Sequence, residues 1–309
     1  MSIDILQTGK LLASCEAALA ERYTVHKLHE QADPAAWLAA NGGRIRAIAG
    51  SQVPADLIAA LPNLEIVAGF GVGYDGIDTR AARASNVRVT NTPDVLNDAV
   101  AELTIGLMVA LGRQIVSADR FVRAGRWPAG PFGLASELTG KSVGILGLGR
   151  IGKEIAQRAQ AMKMRVLYSG RRRQPNMPYV YYDSLIDMAR DADWLVLIAP
   201  GGKGTDGIVS RAVLEALGPQ GRLVNIARGS LVDQVALLDL LGNGGLGGAA
   251  LDVFADEPNV PEGFFALDNV VLSPHQGSGT LQTRDAMGAL LVANLDAHFA
   301  GEPLLSAVV

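Results

Sequence analysis

The feature that most constrains the fold of this chain is a short apolar run followed by glycines at the G-x-G-x-x-G spacing. The run Val143–Leu146 leads into Gly147, Gly149 and Gly152, and an amphipathic segment begins at Lys153. This order predicts a buried strand that turns sharply into a helix. Gly147 would allow the turn, Gly149 would let a pyrophosphate approach the backbone, and Gly152 would permit close helix–strand packing. Free N–H groups and the positive dipole end of the helix favour phosphate. A packed strand–turn–helix without a ligand is the plainer interpretation.

Composition narrows the class of protein. A chain of 309 residues, 49% hydrophobic and 19% charged, is long enough for two globular α/β domains. Its net charge of −4 does not suit a general nucleic-acid binder, which needs a basic surface. The single cysteine, Cys15, leaves no internal disulfide and no cysteine-cluster metal site, so we expect no metal. No signal peptide and no membrane-length apolar stretch stand out, and we therefore expect a cytoplasmic protein without a membrane partner.

Short apolar runs alternate with helical segments along the whole chain, which predicts parallel sheets with crossover helices. In the first third, five strands are expected near residues 3–6, 23–28, 45–49, 64–68 and 87–90. A second series of six is expected from Val143, at 165–168, 194–198, 222–226, 248–252 and 270–272. The fold class is therefore α/β with two doubly wound sheets. Functional loops of such sheets lie beyond the carboxyl ends of the strands, which singles out Gly50–Ser51 and Val72–Gly73.

Two helices are expected to join the two series. Apolar residues at helical spacing predict a long helix over residues 98–116, and a similar pattern predicts another over 283–299 that returns to the first domain. The stretch between residues 121 and 139 is rich in glycine, proline and aromatic residues and has no regular pattern.

The turn after the second strand of the later series bears on cofactor choice. An NAD-binding unit usually places Asp or Glu about 20 residues beyond the first glycine, to bond the ribose hydroxyls. Here the strand ends at Ser169 and is followed, after Gly170, by Arg171, Arg172 and Arg173. Adjacent guanidinium groups suit a 2′-phosphate through charge-assisted bidentate bonds, so NADPH is favoured and NADH is the weaker alternative. A solvated basic turn is the plainer interpretation.

Three polar residues, Arg228, Glu257 and His275, stand just beyond predicted strands of the second series. A guanidinium can clamp a substrate carboxylate with two parallel bonds. An imidazole can exchange a proton with a carbinol oxygen near neutral pH, and a nearby carboxylate favours its charged form. Each residue also has a plainer role. Arg228 could cap a turn, Glu257 could belong to an exposed bend, and His275 could be a hydrogen-bonded core histidine.

Four ordered blocks carry a family resemblance: 147–152, 227–233, 251–258 and 273–278. They resemble the signature blocks of the D-2-hydroxyacid dehydrogenases, and the likeness extends across nearly the whole chain, including 91–96. Within that family the chain is most similar to the NADPH-dependent glyoxylate/hydroxypyruvate reductases, among them the hydroxyphenylpyruvate reductases.

The resemblance implies a flavodoxin-like substrate domain, residues 1–97 and 282–309, interrupted by an NADP-binding Rossmann domain, residues 98–281, with the active site in the cleft. Members of the family are usually dimers through the Rossmann domain, so a homodimer is expected here.

The resemblance also implies roles for individual residues. Arg228 would bind the carboxylate and polarise the keto group of a 2-keto acid. His275 would be the general acid in reduction, and Glu257 would keep it protonated. Hydride would pass directly from the nicotinamide C4 to the substrate C2.

The expected binding residues form two sets. The substrate set is Ser51, Val72, Gly73, Arg228 and His275, in which the backbone N–H groups of Val72 and Gly73 match the family's carboxylate-binding loop. The cofactor set is Thr104, Gly147, Leu148, Gly149, Arg150, Ile151, Gly152, Ser169, Arg171, Arg172, Pro200, Thr205, Ile226, Ala227, Arg228, Asp252, His275 and Gly277. One departure is Gly202, where the family commonly has threonine at a phosphate-side contact.

Several functions stay open at this stage. The leading hypothesis is NADPH-dependent reduction of glyoxylate and hydroxypyruvate to glycolate and D-glycerate. The runner-up is reduction of a bulkier aryl or branched 2-keto acid, of the hydroxyphenylpyruvate type. From another class, the chain could be a non-catalytic nucleotide sensor like the family's transcriptional corepressors, which can retain the catalytic residues. The arginines at 171–173 count against this third hypothesis, because those corepressors use NAD(H).

Overall fold

A computed structural model describes residues 2–309 of the chain. The chain forms two compact units, one comprising Met1–Leu96 and Gly279–Val309 and the other Asn97–Ser278. The expected boundaries were after residues 97 and 281, so the second boundary lies three residues earlier than expected.

The first unit contains a five-stranded parallel sheet in the order β2-β1-β3-β4-β5. Its strands are β1 Ile3–Gln7, β2 Tyr23–Lys27, β3 Ala47–Ala49, β4 Ile66–Ala68 and β5 Arg88–Thr90. The helices between them are α1 Ala13–Ala20, α2 Pro34–Asn41, α3 Ala55–Ala59 and α4 Thr79–Ala84. All five strands were expected; α2 and α4 were not.

Successive side chains along each strand point to opposite faces of the sheet, and each face packs in its own hydrophobic core. Leu6, Ile48, Val67 and Val89 are paired across four adjacent strands, all are buried, and all belong to one core. Their neighbours on the other face, such as Ile5 and Ile66, belong to the second core. Both faces are therefore covered, as the short all-apolar strands require.

The second unit contains a seven-stranded parallel sheet in the order β12-β11-β10-β9-β6-β7-β8. Its strands are β6 Ser142–Leu146, β7 Arg165–Ser169, β8 Val180–Tyr182, β9 Trp194–Leu197, β10 Arg222–Asn225, β11 Gly248–Leu251 and β12 Val270–Leu272. Its helices are α5 Asn97–Gly112, α6 Ile115–Arg123, α7 Arg150–Ala161, α8 Leu185–Asp191, α9 Arg211–Leu217 and α10 Gln234–Asn243.

The expectation of six strands was wrong by one, because β8 was missed. It is a three-residue edge strand paired with β7, and its first residue, Val180, is 49% exposed. A short, half-exposed edge strand lacks the continuous apolar run that identifies buried parallel strands.

The long helix expected over residues 98–116 was also wrong, since it is broken after Gly112. Gln114 has a φ of 52°, in the left-handed region, and α6 then runs at 59° to α5. A methyl group at Gly112 would lie 2.8 Å from Leu138 Cδ1, so α5 ends in a tightly packed place. Within residues 2–309, no single helix is long and apolar enough to cross a membrane, and only the bent pair α5–α6 reaches that length and composition.

The C-terminal segment completes the first unit. Helix α11, Leu281–Ala300, buries Leu291 and Leu295 in the second core of that unit. Beyond it, the N–H of Val308 donates to the carbonyl oxygen of Val89, 2.8 Å away. The first unit is therefore built from both ends of the chain.

Candidate active site

The glycine loop, Gly147–Gly152, joins β6 to α7, and its glycines have different surroundings. Gly147 has a φ of 102°, and a methyl group there would lie 2.9 Å from the backbone nitrogen of Ala199. A methyl group at Gly152 would overlap the carbonyl oxygen of Gly147. Gly149, by contrast, has a φ of −80° and nothing within 4 Å beyond its chain neighbours. Packing therefore accounts for two of the glycines, whereas the open space at Gly149 leaves room for a ligand.

The start of α7 supplies donors beside that space. The first turn of an α-helix presents N–H groups that have no acceptor four residues earlier in the helix, and the helix dipole adds partial positive charge there. The open backbone and these donors fit the pyrophosphate of a dinucleotide.

The arginine turn, Arg171–Arg173, follows β7. The carbonyl oxygen of Ser169 accepts a hydrogen bond from the N–H of Gly147 at 2.9 Å, so β7 ends beside the glycine loop. All three arginines are exposed, and they border an open groove of about 850 Å³ with Tyr179 and Tyr181. Positive charge is thus concentrated where an NAD-binding unit has its carboxylate.

Arg228 lies on a turn after β10 that is shaped by the buried side chain of Asn225. The Oδ1 atom of Asn225 accepts from the N–H of Ala227 at 3.1 Å, and its Nδ2 atom donates to the carbonyl oxygen of Arg228 at 2.9 Å. The Nη1 atom of Arg228 donates to the carbonyl oxygen of Ala227 at 2.7 Å. A methyl group at Gly201 would lie 2.9 Å from Arg228 Cγ, so the half-buried arginine stem also packs on the loop after β9.

Gly229 brings this turn against the loop that follows β11. A methyl group at Gly229 would overlap the backbone of Phe254 and Ala255. The same loop carries Glu257, whose Oε1 atom accepts from the N–H of Phe254 at 3.0 Å. Close backbone approach at one glycine therefore joins the Arg228 turn and the Glu257 loop.

Glu257 and His275 form a direct pair. The Oε2 atom of Glu257 is 2.7 Å from Nδ1 of His275, and the two side chains are 34% and 49% exposed. Because Nδ1 is engaged by a carboxylate, the other ring nitrogen, Nε2, is the atom that can exchange a proton with a bound molecule. The arrangement suits a general acid and base.

Asp252 accepts hydrogen bonds from the loop that carries His275, residues 273–277. The carboxylate is almost fully buried and accepts from Ser273 Oγ at 2.5 Å, from Gln276 N at 2.7 Å and from Gly277 N at 2.9 Å. The carbonyl oxygen of Asp252 also accepts from the N–H of His275 at 2.8 Å. These bonds hold His275 in the left-handed region, with a φ of 53°. Such a conformation is costly for a non-glycine residue and needs support of this kind.

Several residues of the expected cofactor set also meet in the second unit. A methyl group at Gly277 would lie 3.4 Å from Asp252 Oδ2, 3.5 Å from Val100 and 3.8 Å from Ile226. Thr104, one turn along α5, is buried and donates from its hydroxyl to the carbonyl oxygen of Val100 at 2.7 Å.

Pro200 and Thr205 lie together in the loop after β9. The hydroxyl of Thr205 donates to the carbonyl oxygen of Pro200 at 2.7 Å. Gly202, the departure from the family pattern, has a φ of 123° and open space around it. The loop therefore closes on itself through Thr205.

In the first unit, the expected substrate residues lie in loops at the carboxyl edge of the sheet. The hydroxyl of Ser51 donates to the carbonyl oxygen of Phe70 at 2.7 Å and accepts from the N–H of Phe70 at 3.0 Å. Ser51 thus joins the loops after β3 and β4. Within residues 2–309 the N–H groups of Val72 and Gly73 donate to no other group, while Asn91 Nδ2 holds the carbonyl oxygen of Val72 at 2.9 Å. Two adjacent unpaired N–H groups suit an anion.

Three residues that position the loops of this site were not predicted from the sequence. Asn225, Ser273 and Gln174 all make hydrogen bonds that shape the loops of this site. Asn225 ends β10 just before the block 227–233, and Ser273 follows β12 and opens the block 273–278, so position in the sequence is a usable signal for both. Gln174 has none, since it follows a run of charge in an irregular stretch.

Comparison with known proteins identifies a matching family profile and relatives that are similar over the whole chain. The sequence profile of the "D-isomer specific 2-hydroxyacid dehydrogenase, NAD binding domain" matches residues 105–277. The glyoxylate/hydroxypyruvate reductase A of Arabidopsis thaliana is 46% identical over 311 residues, with 100% of this chain and 99% of the relative covered. The hydroxyphenylpyruvate reductase of Plectranthus scutellarioides is similar to the same extent, with 46% identity and the same coverage.

A solved structure extends the similarity to the whole fold. The NADPH-dependent glyoxylate/hydroxypyruvate reductase of Sinorhizobium meliloti, in complex with NADP and malonate, has a TM-score of 0.96 and 42% identity. The match covers 100% of this chain and 97% of that one. With its two parallel-sheet units and its matched nucleotide-binding domain, the chain belongs to the D-2-hydroxyacid dehydrogenase family of oxidoreductases.

Proposed function

We propose that this protein is an NADPH-dependent reductase that converts small 2-keto acids, glyoxylate and hydroxypyruvate, into glycolate and D-glycerate. The observation that carries the proposal is the Glu257–His275 pair, with 2.7 Å between Oε2 and Nδ1, on loops joined to the Arg228 turn. The named reductases among the relatives support the substrate class.

In the proposed reaction His275 supplies the proton. Glu257 accepts a hydrogen bond from Nδ1–H and so orients the imidazole ring with Nε2 directed to the substrate. The Nε2–H group then donates its proton to the keto oxygen as that oxygen gains negative charge. In the reverse direction the neutral Nε2 takes the proton from the hydroxyl group of a 2-hydroxy acid.

Arg228 is proposed to hold the substrate. Its guanidinium can bind the carboxylate through two parallel bonds and polarise the adjacent keto group. In the first unit, Val72 and Gly73 offer two adjacent backbone N–H donors that suit a carboxylate. A dinucleotide held by the glycine loop and the arginine turn would supply hydride for the substrate C2, and the protein would contribute orientation and electrostatics.

The arginine turn supports the preference for NADPH over NADH. Three exposed guanidinium groups stand where an NAD-binding unit has a carboxylate, and they can bind a 2′-phosphate. The Sinorhizobium meliloti relative is named as NADPH-dependent.

A second substrate class is favoured by one relative. The Plectranthus scutellarioides protein is named as a hydroxyphenylpyruvate reductase and is as similar to this chain as the Arabidopsis thaliana enzyme. An aryl 2-keto acid would use the same catalytic residues, and the difference would lie in the room around the substrate side chain.

We further propose a cytoplasmic homodimer that associates through the second unit. Several large apolar side chains of α6 and the segment after it are exposed: Ile115 by 50%, Val122 by 53%, Trp127 by 66% and Leu134 by 98%. Light scattering at micromolar concentration tests the dimer, and a monomer would contradict it.

Initial rates of cofactor oxidation test the proposed reaction. Glyoxylate, hydroxypyruvate, hydroxyphenylpyruvate and pyruvate are each supplied with NADPH and with NADH. We expect the two small acids with NADPH to give the highest kcat/KM. A preference for the aryl acid would keep the catalytic assignment and change the substrate. No turnover of any acid, with NADPH still bound, would contradict the proposed reaction and favour a nucleotide sensor.

The double variant Arg171→Ala, Arg172→Ala tests the cofactor assignment. We expect a loss of NADPH affinity of about 100-fold, from two charge-assisted contacts, with little change for NADH. An equal loss for both cofactors would mean that the arginine turn does not read the 2′-phosphate.

A further inference from the structure

We propose that Gln174 is a positioning residue that holds the arginine turn against the glycine loop and so sets how strongly the protein prefers NADPH to NADH. This inference rests on the proposed function, because it concerns the same cofactor site. Gln174 itself need not touch the dinucleotide.

Two hydrogen bonds place Gln174 between the two loops. Its Nε2 atom donates to the carbonyl oxygen of Leu148, in the middle of the glycine loop, at 2.5 Å. Its backbone N–H donates to the phenolic oxygen of Tyr168 at 2.9 Å. A backbone carbonyl can only accept, so the orientation of the amide is unambiguous. Gln174 therefore joins the end of the arginine turn directly to the glycine loop.

The arginine turn is also anchored at its beginning. Tyr168 is buried and lies 5.1 Å, ring to ring, from Tyr181 of β8, whose hydroxyl donates to the carbonyl oxygen of Gly170 at 3.2 Å. Gly170 and Gln174 flank the three arginines, so the backbone of the turn is held on both sides. Of these two anchors, only Gln174 reaches the glycine loop with its side chain.

The arginines themselves need this support. They are exposed, and within residues 2–309 none of the three guanidinium groups has a hydrogen-bonding or ion-pairing partner. Three adjacent positive charges repel one another, and free arginine side chains sample many rotamers. The backbone anchors are therefore what fixes their position relative to the phosphate-binding loop.

The bond to Leu148 has a second consequence. In a planar trans peptide, the C=O and N–H groups point in opposite directions. Because the carbonyl of Leu148 is held by Gln174, the N–H of Gly149 faces away from Gln174, beside the open space at that glycine. Loss of the bond would loosen this donor, which both cofactors can use, and would also misplace the arginine turn, which only NADPH can use.

Equilibrium titration of NADPH and of NADH into the whole protein tests the proposal. The variant Gln174→Met keeps the length of the side chain and removes the donor. We expect the Kd of NADPH to rise about tenfold and the Kd of NADH to rise less than about threefold. The matched control is Gln160→Met, which removes another single glutamine hydrogen bond of this unit, in which Gln160 Oε1 accepts from the hydroxyl of Tyr179 at 3.0 Å. We expect this control to leave both Kd values unchanged.

An unchanged Kd of NADPH in Gln174→Met, or an equal rise for both cofactors, would overturn the proposal. The thermal midpoints of wild type and both variants show whether the folds are intact, and the ratio of the two Kd values stays informative if a midpoint shifts.

Wild type and the Arg171→Ala, Arg172→Ala variant separate this inference from the proposed function. If wild type does not prefer NADPH, the cofactor assignment fails. If it does, and the arginine variant loses the preference while Gln174→Met does not, only the role of Gln174 is wrong.

Discussion

Gly149 and Gly152 stand three residues apart, yet a methyl group would meet empty space at one and backbone at the other. Gly149 has a φ that any residue adopts, so the fold of the free protein does not require glycine there. Gly152 is required by the contact between α7 and the turn before it. Packing therefore requires glycine at position 152 but not at position 149.

We therefore expect Gly149→Ala and Gly152→Ala to have different effects. In Gly149→Ala the thermal midpoint should be unchanged, while NADPH affinity should fall about 10- to 100-fold, because the methyl group occupies the space beside the backbone. In Gly152→Ala the free energy of unfolding should fall by about 1–3 kcal/mol. Unchanged NADPH affinity in Gly149→Ala would mean that the pyrophosphate does not approach this glycine.

His275 permits a second prediction at this scale. His275→Ala should lower kcat for glyoxylate reduction about 100- to 10,000-fold, since the proton donor is lost, while the Kd of NADPH changes less than about threefold. Steady-state rates and cofactor titration measure the two effects. His29→Ala, which changes a histidine of the first unit whose side chain is 20% exposed, is the control and should leave both unchanged. Normal turnover in His275→Ala would contradict the assignment of the acid.

At the scale of elements, the site depends on where loops after neighbouring strands meet. β10 and β11 are paired from Arg222 and Gly248 to Asn225 and Leu251, so their carboxyl ends lie side by side. The Arg228 turn and the Glu257 loop follow these ends and touch at Gly229. Sheet register therefore decides which side chains become neighbours, and one glycine decides how close they come.

Substitution of Gly229 tests that arrangement. A methyl group there would overlap the Phe254–Ala255 backbone, which cannot move away as a flexible side chain could. We expect Gly229→Ala to lower the free energy of unfolding by about 1–3 kcal/mol and to reduce kcat/KM for glyoxylate at least about tenfold. Denaturant unfolding and initial rates measure these effects. Gly242→Ala, at a helical glycine with open space, is the control and should change neither.

At the scale of the whole chain, the first unit depends on contacts between segments 233 residues apart in the sequence. Glu65, just before β4, accepts from Arg46 Nε at 2.5 Å and is 3.2 Å from His298 Nε2 of α11. Arg46 is the main reason that the pKa of Glu65 lies below its ordinary value of 4.5, with a smaller contribution from His298. The ionised carboxylate therefore helps to fasten the C-terminal helix to the sheet.

A depressed carboxyl pKa contributes stability that is present above the ordinary value and is lost as pH falls through the lower, folded value. We expect Glu65→Gln to lower the thermal midpoint by about 2 °C at pH 7, as for a partly exposed ion pair, and to have a smaller effect at pH 3. Glu302→Gln, at an exposed glutamate without an ion pair, is the control. An equal effect of Glu65→Gln at both pH values would mean that charge is not the cause.

Much of this protein was determined by local sequence. The alternation of apolar runs with helical segments predicted the two parallel sheets, which the structure confirms. The glycine spacing and the arginine run predicted a nucleotide-binding loop and a phosphate-binding turn, and the pairing of β6 with β7 places the two side by side. These features depend on residues a few positions apart, whose periodicity and turn chemistry act over one strand or one helical turn. Edge strand β8 and the helix break at Gln114 were not predicted, because neighbouring residues alone do not specify them.

The contacts that bring the residues of the candidate site together depend on the tertiary structure. Glu257 and His275 are 18 residues apart, and their meeting depends on the β11–β12 register and on the bonds of Asp252. The link from Gln174 to Leu148 spans 26 residues and has no sequence signature. Such contacts form where different strands end at one edge of a sheet, and strand pairing, rather than local propensity, sets which residues meet there.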